Sequence, residues 1–440
     1  MVKTDYLIIG GSAAGTTSAE VIRRLKPDSF ITVVSEENHE QYSKVLMPHY
    51  VRHKVPREQV FLKKPDWYKD RNIELVKGIK AVSLESKSHK VKLSNGEVYQ
   101  YGKLLIAIGG DVIKLNVPGG DLENILYMRT IEDGDEIVKV ASSAAAKALA
   151  DKQSAKAVIV GGGFIGLEFC SCFKLNGVSD ITALVLEDYY WQGKLDEVSS
   201  NVLVGVLTKN NIKIVTNAEI ERIEPKEKTY KVGKVITKSG HRYECDVVGV
   251  GIGIKSGLSW LEGSGIKVNQ GIVTNQYLET NVPDIYAAGD CAEFWDVIFE
   301  RQHIMGNWAN ATSQGLAVGK TMAGQRTVFE TASSYSINFF DQPRVDERTR
   351  VEAGGSCSFI GVTDEKFADE VISRGSVEAG KMARIFIKTI NGSTRIVGAT
   401  IINDPAEVSP ITFAVKNKTD VSKFLEKLAD QDFSLKEITS

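Results

Sequence analysis

Hydrophobic positions in this chain fall into short, unbroken apolar runs, and several of them end at glycine and lead into a stretch of helical periodicity. Residues 6–9, 104–108, 157–160, 247–250 and 286–288 show this character, with weaker runs at 30–34 and 181–186, each containing a threonine. Apolar runs of this length predict strands buried on both faces, as in a parallel sheet covered by helices. Helices are expected from 131 to 150, from about 164 onward, and from Trp308 to about Gly324. A shorter strand is expected at 72–75, followed by a turn at 78–82, and two more strands at 90–93 and 97–101, joined by Asn95-Gly96, a hairpin signal. Runs at 212–215, 219–223 and 232–237 predict a small antiparallel sheet. Beyond Ser333 the pattern becomes β-rich, with strands at 337–340, 383–390 and 395–402 and helices at 410–416 and 421–428. Strands alternating with helices make the fold class α/β.

Two of the runs lead into glycine-rich turns. Gly161, Gly163 and Gly166 form G-x-G-x-x-G directly after 157–160, and Phe164 and Ile165 open the helix. In such a turn the first glycine makes the tight bend and the second lets a diphosphate approach the backbone. The third lets helix and strand pack closely, and the unpaired N–H groups of the helix face the phosphates. Glu187 lies twenty-one residues past Gly166, where an acid accepts both ribose hydroxyls and repels a 2′-phosphate. Gly10, Ser12, Ala13, Ala14 and Gly15 form a second such turn after 6–9, with serine in the place of the second glycine. Serine is small enough there if its φ stays negative. Glu36 stands twenty-one residues past Gly15, repeating the spacing and favouring it over Glu37 as the ribose ligand. Two cradles imply two dinucleotides, or one site and a relic; the first reading is favoured.

Composition narrows the picture. The 440 residues suffice for two or three domains. A formal charge of −2 with dispersed Lys and Arg argues against a nucleic-acid partner. No apolar run approaches the roughly 18–20 residues of a membrane span, and a strand begins within a few residues of Met1, so a cytoplasmic protein is expected. Cys170, Cys172, Cys245, Cys291 and Cys357 form neither C-x-x-C nor a Cys/His metal spacing, so buried free thiols and no metal site are expected. His49 and His53, four apart, lack a third ligand and are read as surface histidines.

Together the two cradles, the segment from Gln41 to Tyr50 and the Tyr286-Ala287-Ala288-Gly289-Asp290 motif resemble the FAD- and NAD(P)H-dependent pyridine nucleotide-disulfide oxidoreductases. The likeness is to the branch of rubredoxin and ferredoxin reductases, NADH oxidases and nitrite reductase flavin domains. It implies two three-layer Rossmann-like domains, one inserted in the other, and a C-terminal α+β domain. The expected boundaries are 1–112 with 254–325 for FAD, 113–253 for NAD(P), and 326–440 for an interface domain that often forms a homodimer.

Residue by residue, the resemblance implies that FAD meets Gly10, Ser12, Ala13, Ala14, Gly15, Glu36, Lys44, Pro48, Val82, Ala107, Gly109, Arg129, Asp290 and Trp308. Arg129 fits a salt bridge nearly as well, and Trp308 fits either a place near the isoalloxazine or the core. NAD is implied at Gly161, Gly163, Phe164, Ile165, Gly166, Glu168, Glu187, Gly251, Ile252 and Gly253. Glu168, expected in the first helical turn, would orient the carboxamide; with Lys44 it forms the catalytic set. Ile108 replaces a threonine of the family pattern. The redox cysteine of the disulfide-reducing members is missing, since the equivalent position is near Val45 and no cysteine precedes Cys170. The implied activity is an FAD-dependent NAD(P)H oxidoreductase, with NADH favoured over NADPH and a separate small redox protein as acceptor. An NADH oxidase or quinone-type reductase is the competing enzyme reading. A flavoprotein with a binding or sensing role, as in apoptosis-inducing factors, is the reading from another class.

Overall fold

The computed structural model describes residues 1–340 and 352–439. These form two compact units, Met1–Val45 with Arg57–Asp111 and Lys255–Ser333, and Leu46–Pro56 with Val112–Ile254 and Ser334–Ser440. The first unit is thus discontinuous in sequence around residues 112–254.

In the first unit a seven-stranded sheet runs in the order Ile73–Lys77, Ile31–Ser35, Val2–Ile9, Val98–Ile106, Lys90–Leu93, Ala81–Glu85. Its first four strands are parallel, and Ile285–Ala287 pairs in parallel with the far half of Val98–Ile106. Leu7, Ile8, Leu104, Leu105 and Ile106 are wholly buried, as expected of strands covered on both faces. The helices Ala13–Leu25 and Trp308–Met322 pack on this sheet and on each other. They approach closely because Gly315 and Gly319 carry no side chain: a Cβ on Gly315 would lie 2.5 Å from the Ala14 carbonyl oxygen.

The second unit contains a five-stranded parallel sheet in the order Ile212–Val215, Asp180–Leu184, Lys156–Val160, Val247–Val250, Ile125–Leu126. The 20-residue helix Ile131–Ala150 begins with a capping box between Thr130 and Asp133. A five-stranded antiparallel sheet follows from Ser334 on, its central hairpin turning at Asn391 and Gly392. Both turn residues are left-handed, φ 52° and 80°, as a two-residue type I′ turn requires.

Several boundaries differ from expectation. Ile212–Val215 joins the parallel sheet rather than the small antiparallel one, which consists of Ile220–Pro225, Val232–Thr237 and Arg242–Glu244. The preceding helix Glu197–Lys209 makes it the return strand of a crossover unit, a tertiary relation that a short apolar run does not reveal. The run at 181–186 is a strand only to Leu184, and Leu186 is exposed. Residues 422–427 form a 3₁₀ rather than an α-helix, and strands Gly355–Gly361 and Glu370–Ser376 complete the final sheet. His49 and His53 share no helix face, because the helix Leu46–Val51 ends before His53, whose φ is 59°.

Candidate functional site

In the first unit the loops after Val2–Ile9, Val98–Ile106 and Ile285–Ala287 converge, since Ile9 and Ala287 both register with Ile106. Gly10 has φ 118°, and a Cβ there would fall 2.1 Å from the Ala107 carbonyl oxygen; one on Gly15 would fall 1.8 Å from that of Gly10. Only glycine fits at either position. Ser12 caps the Ala13–Leu25 helix with φ −96°, so the condition for serine at the second position is met. Its side chain makes no capping hydrogen bond and no acid stands in the first turn. The N-terminal N–H groups therefore face outward without a side-chain acceptor, the arrangement that binds an anion. Behind the loop, Thr16 Oγ1 donates to the Gly11 carbonyl (2.9 Å) and pairs with the Tyr68 hydroxyl (2.8 Å). Burial pushes the Tyr68 phenol up to about 12, so it stays neutral.

Gly289, φ 82°, donates its N–H to Gln314 Oε1 at 2.7 Å, so one helix residue shapes the turn that carries Asp290. Asp290 is half-buried, and Gly306 leaves space beside its carboxylate, where a Cβ would lie 3.6 Å away. Ala107 is buried, and the Gly109 carbonyl accepts from Ser256 Oγ at 2.7 Å. Glu36 is exposed, 3.5 Å from Lys80 Nζ. Val82 is exposed on the strand Ala81–Glu85. Lys44 Nζ is held 2.7 Å from Glu37 Oε1, and the Tyr42 hydroxyl donates to the other Glu37 oxygen. Trp308 is half-buried against the core of this unit. Pro48 and Arg129 belong to the second unit; Pro48 is buried in Leu46–Val51, and the Arg129 backbone N–H donates to Asp133 at 2.8 Å.

The second unit repeats the cradle. Gly161 has φ 109°, with a Cβ position 2.4 Å from the Gly251 carbonyl oxygen; that of Gly166 lies 2.0 Å from the Gly161 carbonyl oxygen. Gly251 in turn would place a Cβ 2.7 Å from the Gly166 nitrogen, so the three glycines lock the turn together. Gly163 caps the Phe164–Leu175 helix with no side-chain hydrogen bond and no acid in the first turn. Phe164 and Ile165 are half-buried, Ile252 is exposed, and Gly253, φ 107°, accepts the Ile113 N–H at 3.0 Å. Glu187 is exposed, beyond the strand end.

Glu168 requires a correction. Because the helix starts at Phe164, Glu168 is its fifth residue and lies outside the first turn. It is buried, 3.4 Å from the guanidinium of Arg52, itself almost completely buried. Arg52 Nε donates to the Pro48 carbonyl at 3.2 Å, and a terminal nitrogen donates to that of Asn338 at 2.8 Å. Arg52 was not legible from sequence, since no spacing rule links a residue after Leu46–Val51 to a helix more than a hundred positions on. Gln314 and Thr16 escaped for the same reason.

All five cysteines are free and buried. Burial pushes the thiols of Cys170, Cys245 and Cys291 up to about 12, and raises Cys172 and Cys357 as well. None is a thiolate near neutral pH. Among the described residues no group of His, Cys, Asp and Glu could hold a metal ion, and no helix is long and apolar enough to cross a membrane.

Comparison with known proteins places these cradles in context. Residues 4–315 match the family model described as pyridine nucleotide-disulphide oxidoreductase. The chain is 26% identical over 424 residues to "Nitrite reductase [NAD(P)H]" of Bacillus subtilis (strain 168), covering 96% of this chain and 48% of that protein; it thus spans about half of that relative's length. It is 28% identical over 330 residues to "NADH oxidase" of Methanocaldococcus jannaschii, covering 73% of this chain and 71% of that one. Among solved structures, putidaredoxin reductase in its covalent complex with putidaredoxin superposes with a TM-score of 0.84 at 23% identity, over 100% of this chain and 99% of that chain. Paired glycine cradles with uncapped helix N-termini fit the two dinucleotides such proteins use. The chain belongs to the pyridine nucleotide-disulphide oxidoreductase family.

Proposed function

We propose that this enzyme takes electrons from NADH and passes them through FAD to a separate small redox protein of the rubredoxin or ferredoxin type. The observation that carries the reading is the state of the cysteines: none precedes Cys170, and all five are buried, protonated thiols. A protein thiol relay therefore has no member, and electrons must leave for an external acceptor. The fold likeness to a putidaredoxin reductase solved with putidaredoxin supports a protein as that acceptor.

In this reading residues 1–112 with 254–325 carry FAD, and residues 113–253 carry NADH. FAD, when bound, supplies two-electron acceptance from the nicotinamide and onward electron delivery. Gly10, Ser12, Ala13, Ala14 and Gly15 hold its diphosphate on the helix N-terminus, with Glu36 at the adenosine ribose and Asp290 at the ribityl chain. The Gly161–Gly166 turn seats the diphosphate of NADH. The exposed Glu187 carboxylate accepts ribose hydroxyls and repels a 2′-phosphate, which favours NADH over NADPH. Glu168, fixed by Arg52, orients the carboxamide. Residues 326–440 form a homodimer interface, and the enzyme works in the cytoplasm.

An anaerobic stopped-flow experiment tests the proposal. NADH should bleach the flavin rapidly, and reoxidation should be fast only when rubredoxin or ferredoxin is added. Rapid reoxidation by oxygen alone would show an oxidase. A long-lived reduced complex that no carrier discharges would show a binding or sensing flavoprotein.

A further inference from the structure

Beside the second cradle stands a side chain that no motif accounts for. Trp191 is 92% buried, yet its φ of 61° is left-handed, a conformation a bulky residue adopts only under constraint from its surroundings. The constraint is visible. Its ring packs edge-on to Phe164 (centroids 6.3 Å apart) and against Phe359 (5.1 Å), while Phe359 stacks on Tyr335 (5.2 Å) and Tyr335 meets Phe164 (6.1 Å). The four rings close on themselves and clamp the indole.

The clamp places the one polar atom of the ring at the cradle. Nε1 lies 3.9 Å from the point a Cβ on Gly163 would occupy, and nothing else approaches that point as closely. Gly163 is the residue whose missing side chain gives a diphosphate access to the backbone. Among the described residues the indole N–H meets no acceptor. The ring is buried while Nε1 stays open to the cradle, and a donor held rigidly there is placed to meet an acceptor that arrives with the ligand.

We propose that Trp191 is a dinucleotide-binding residue, donating its indole N–H to the diphosphate of the pyridine nucleotide on the Gly161–Gly166 turn. The inference rests on the reading that this turn seats the nucleotide. A neutral donor held rigidly binds the diphosphate without adding a cation that would attract a 2′-phosphate.

ADP-ribose, which carries the diphosphate without the nicotinamide, tests the proposal by calorimetric titration of the FAD-saturated protein. Trp191→Phe keeps an aromatic ring in the clamp and removes the donor; the dissociation constant should rise about tenfold or more, the usual range for a hydrogen bond to a charged group. Adenosine, lacking phosphate, should bind wild type and variant alike. Unchanged ADP-ribose affinity in the variant would overturn the role of Trp191. Gly163→Val separates that failure from failure of the cradle: φ −97° and the open Cβ position admit valine in the free protein, but the side chain fills the diphosphate path. If Gly163→Val binds ADP-ribose as wild type does, the cradle reading falls and the inference with it. A measurement on the unmodified protein stands in should Trp191→Phe fail to fold. Of the five tryptophan indole N–H resonances in a ¹⁵N-labelled sample, one should move downfield on adding ADP-ribose. No movement would refute the hydrogen bond.

Discussion

The Arg52–Glu168 pair offers the sharpest energetic test. With a separation of 3.4 Å and side-chain exposures of 1% and 7%, the two charges lie almost entirely out of water. At an effective dielectric of about 20, Coulomb's law gives an attraction of about 5 kcal/mol, set against the cost of desolvating both ions. The net worth of the pair is small by this reasoning, but the cost of breaking it is large. Arg52→Met removes the cation beside a buried carboxylate, together with the donors to the Pro48 and Asn338 carbonyls. We predict a loss of about 3–5 kcal/mol, the range for a buried pair broken on one side. At about 2–4 °C per kcal/mol for a body of this size, the melting midpoint by circular dichroism should fall by about 6–20 °C. The double variant Arg52→Met/Glu168→Met should recover most of that loss, because two apolar groups replace two buried charges. A fall of less than about 2 °C in the single variant, or a double variant no more stable than the single, would refute the electrostatic reasoning.

Other expectations follow from the cradles and thiols. Glu187→Arg should move the ratio of NADH to NADPH kcat/KM toward NADPH by about tenfold or more, since repulsion of a 2′-phosphate becomes attraction at an exposed position; unchanged selectivity would remove Glu187 from the ribose site. Asp290→Ala should yield protein that purifies with little flavin absorbance, and full occupancy would contradict its role. Burial raises every thiol pKa, so at pH 8 all five cysteines remain protonated as well as covered. Iodoacetamide should label none in the native protein and five after denaturation by mass spectrometry, whereas a reactive native thiol would reopen a cysteine-based mechanism.

The sequence by itself determined the parts of this protein whose geometry is local. A strand end, a turn that only glycine can make and a helix start lie within ten residues of one another. Gly10–Gly15 and Gly161–Gly166 were therefore readable from spacing, and the structure shows the contacts of 1.8–2.4 Å that forbid a Cβ at Gly10, Gly15, Gly161 and Gly166. The α/β class was readable too, because buried parallel strands are apolar on both faces. Tertiary structure alone decided what long-range packing brings together. It joined Arg52 to Glu168, set Gln314 against Gly289, placed Ile212–Val215 in the parallel sheet, tied Lys44 to Glu37 and turned the Trp191 indole toward Gly163. Except for Lys44 and Glu37, those partners are separated by more than twenty residues, a distance at which neither spacing nor periodicity carries information. Their positions follow from how the chain closes its core, and that closure gives the buried charge and the unpaired N–H their meaning.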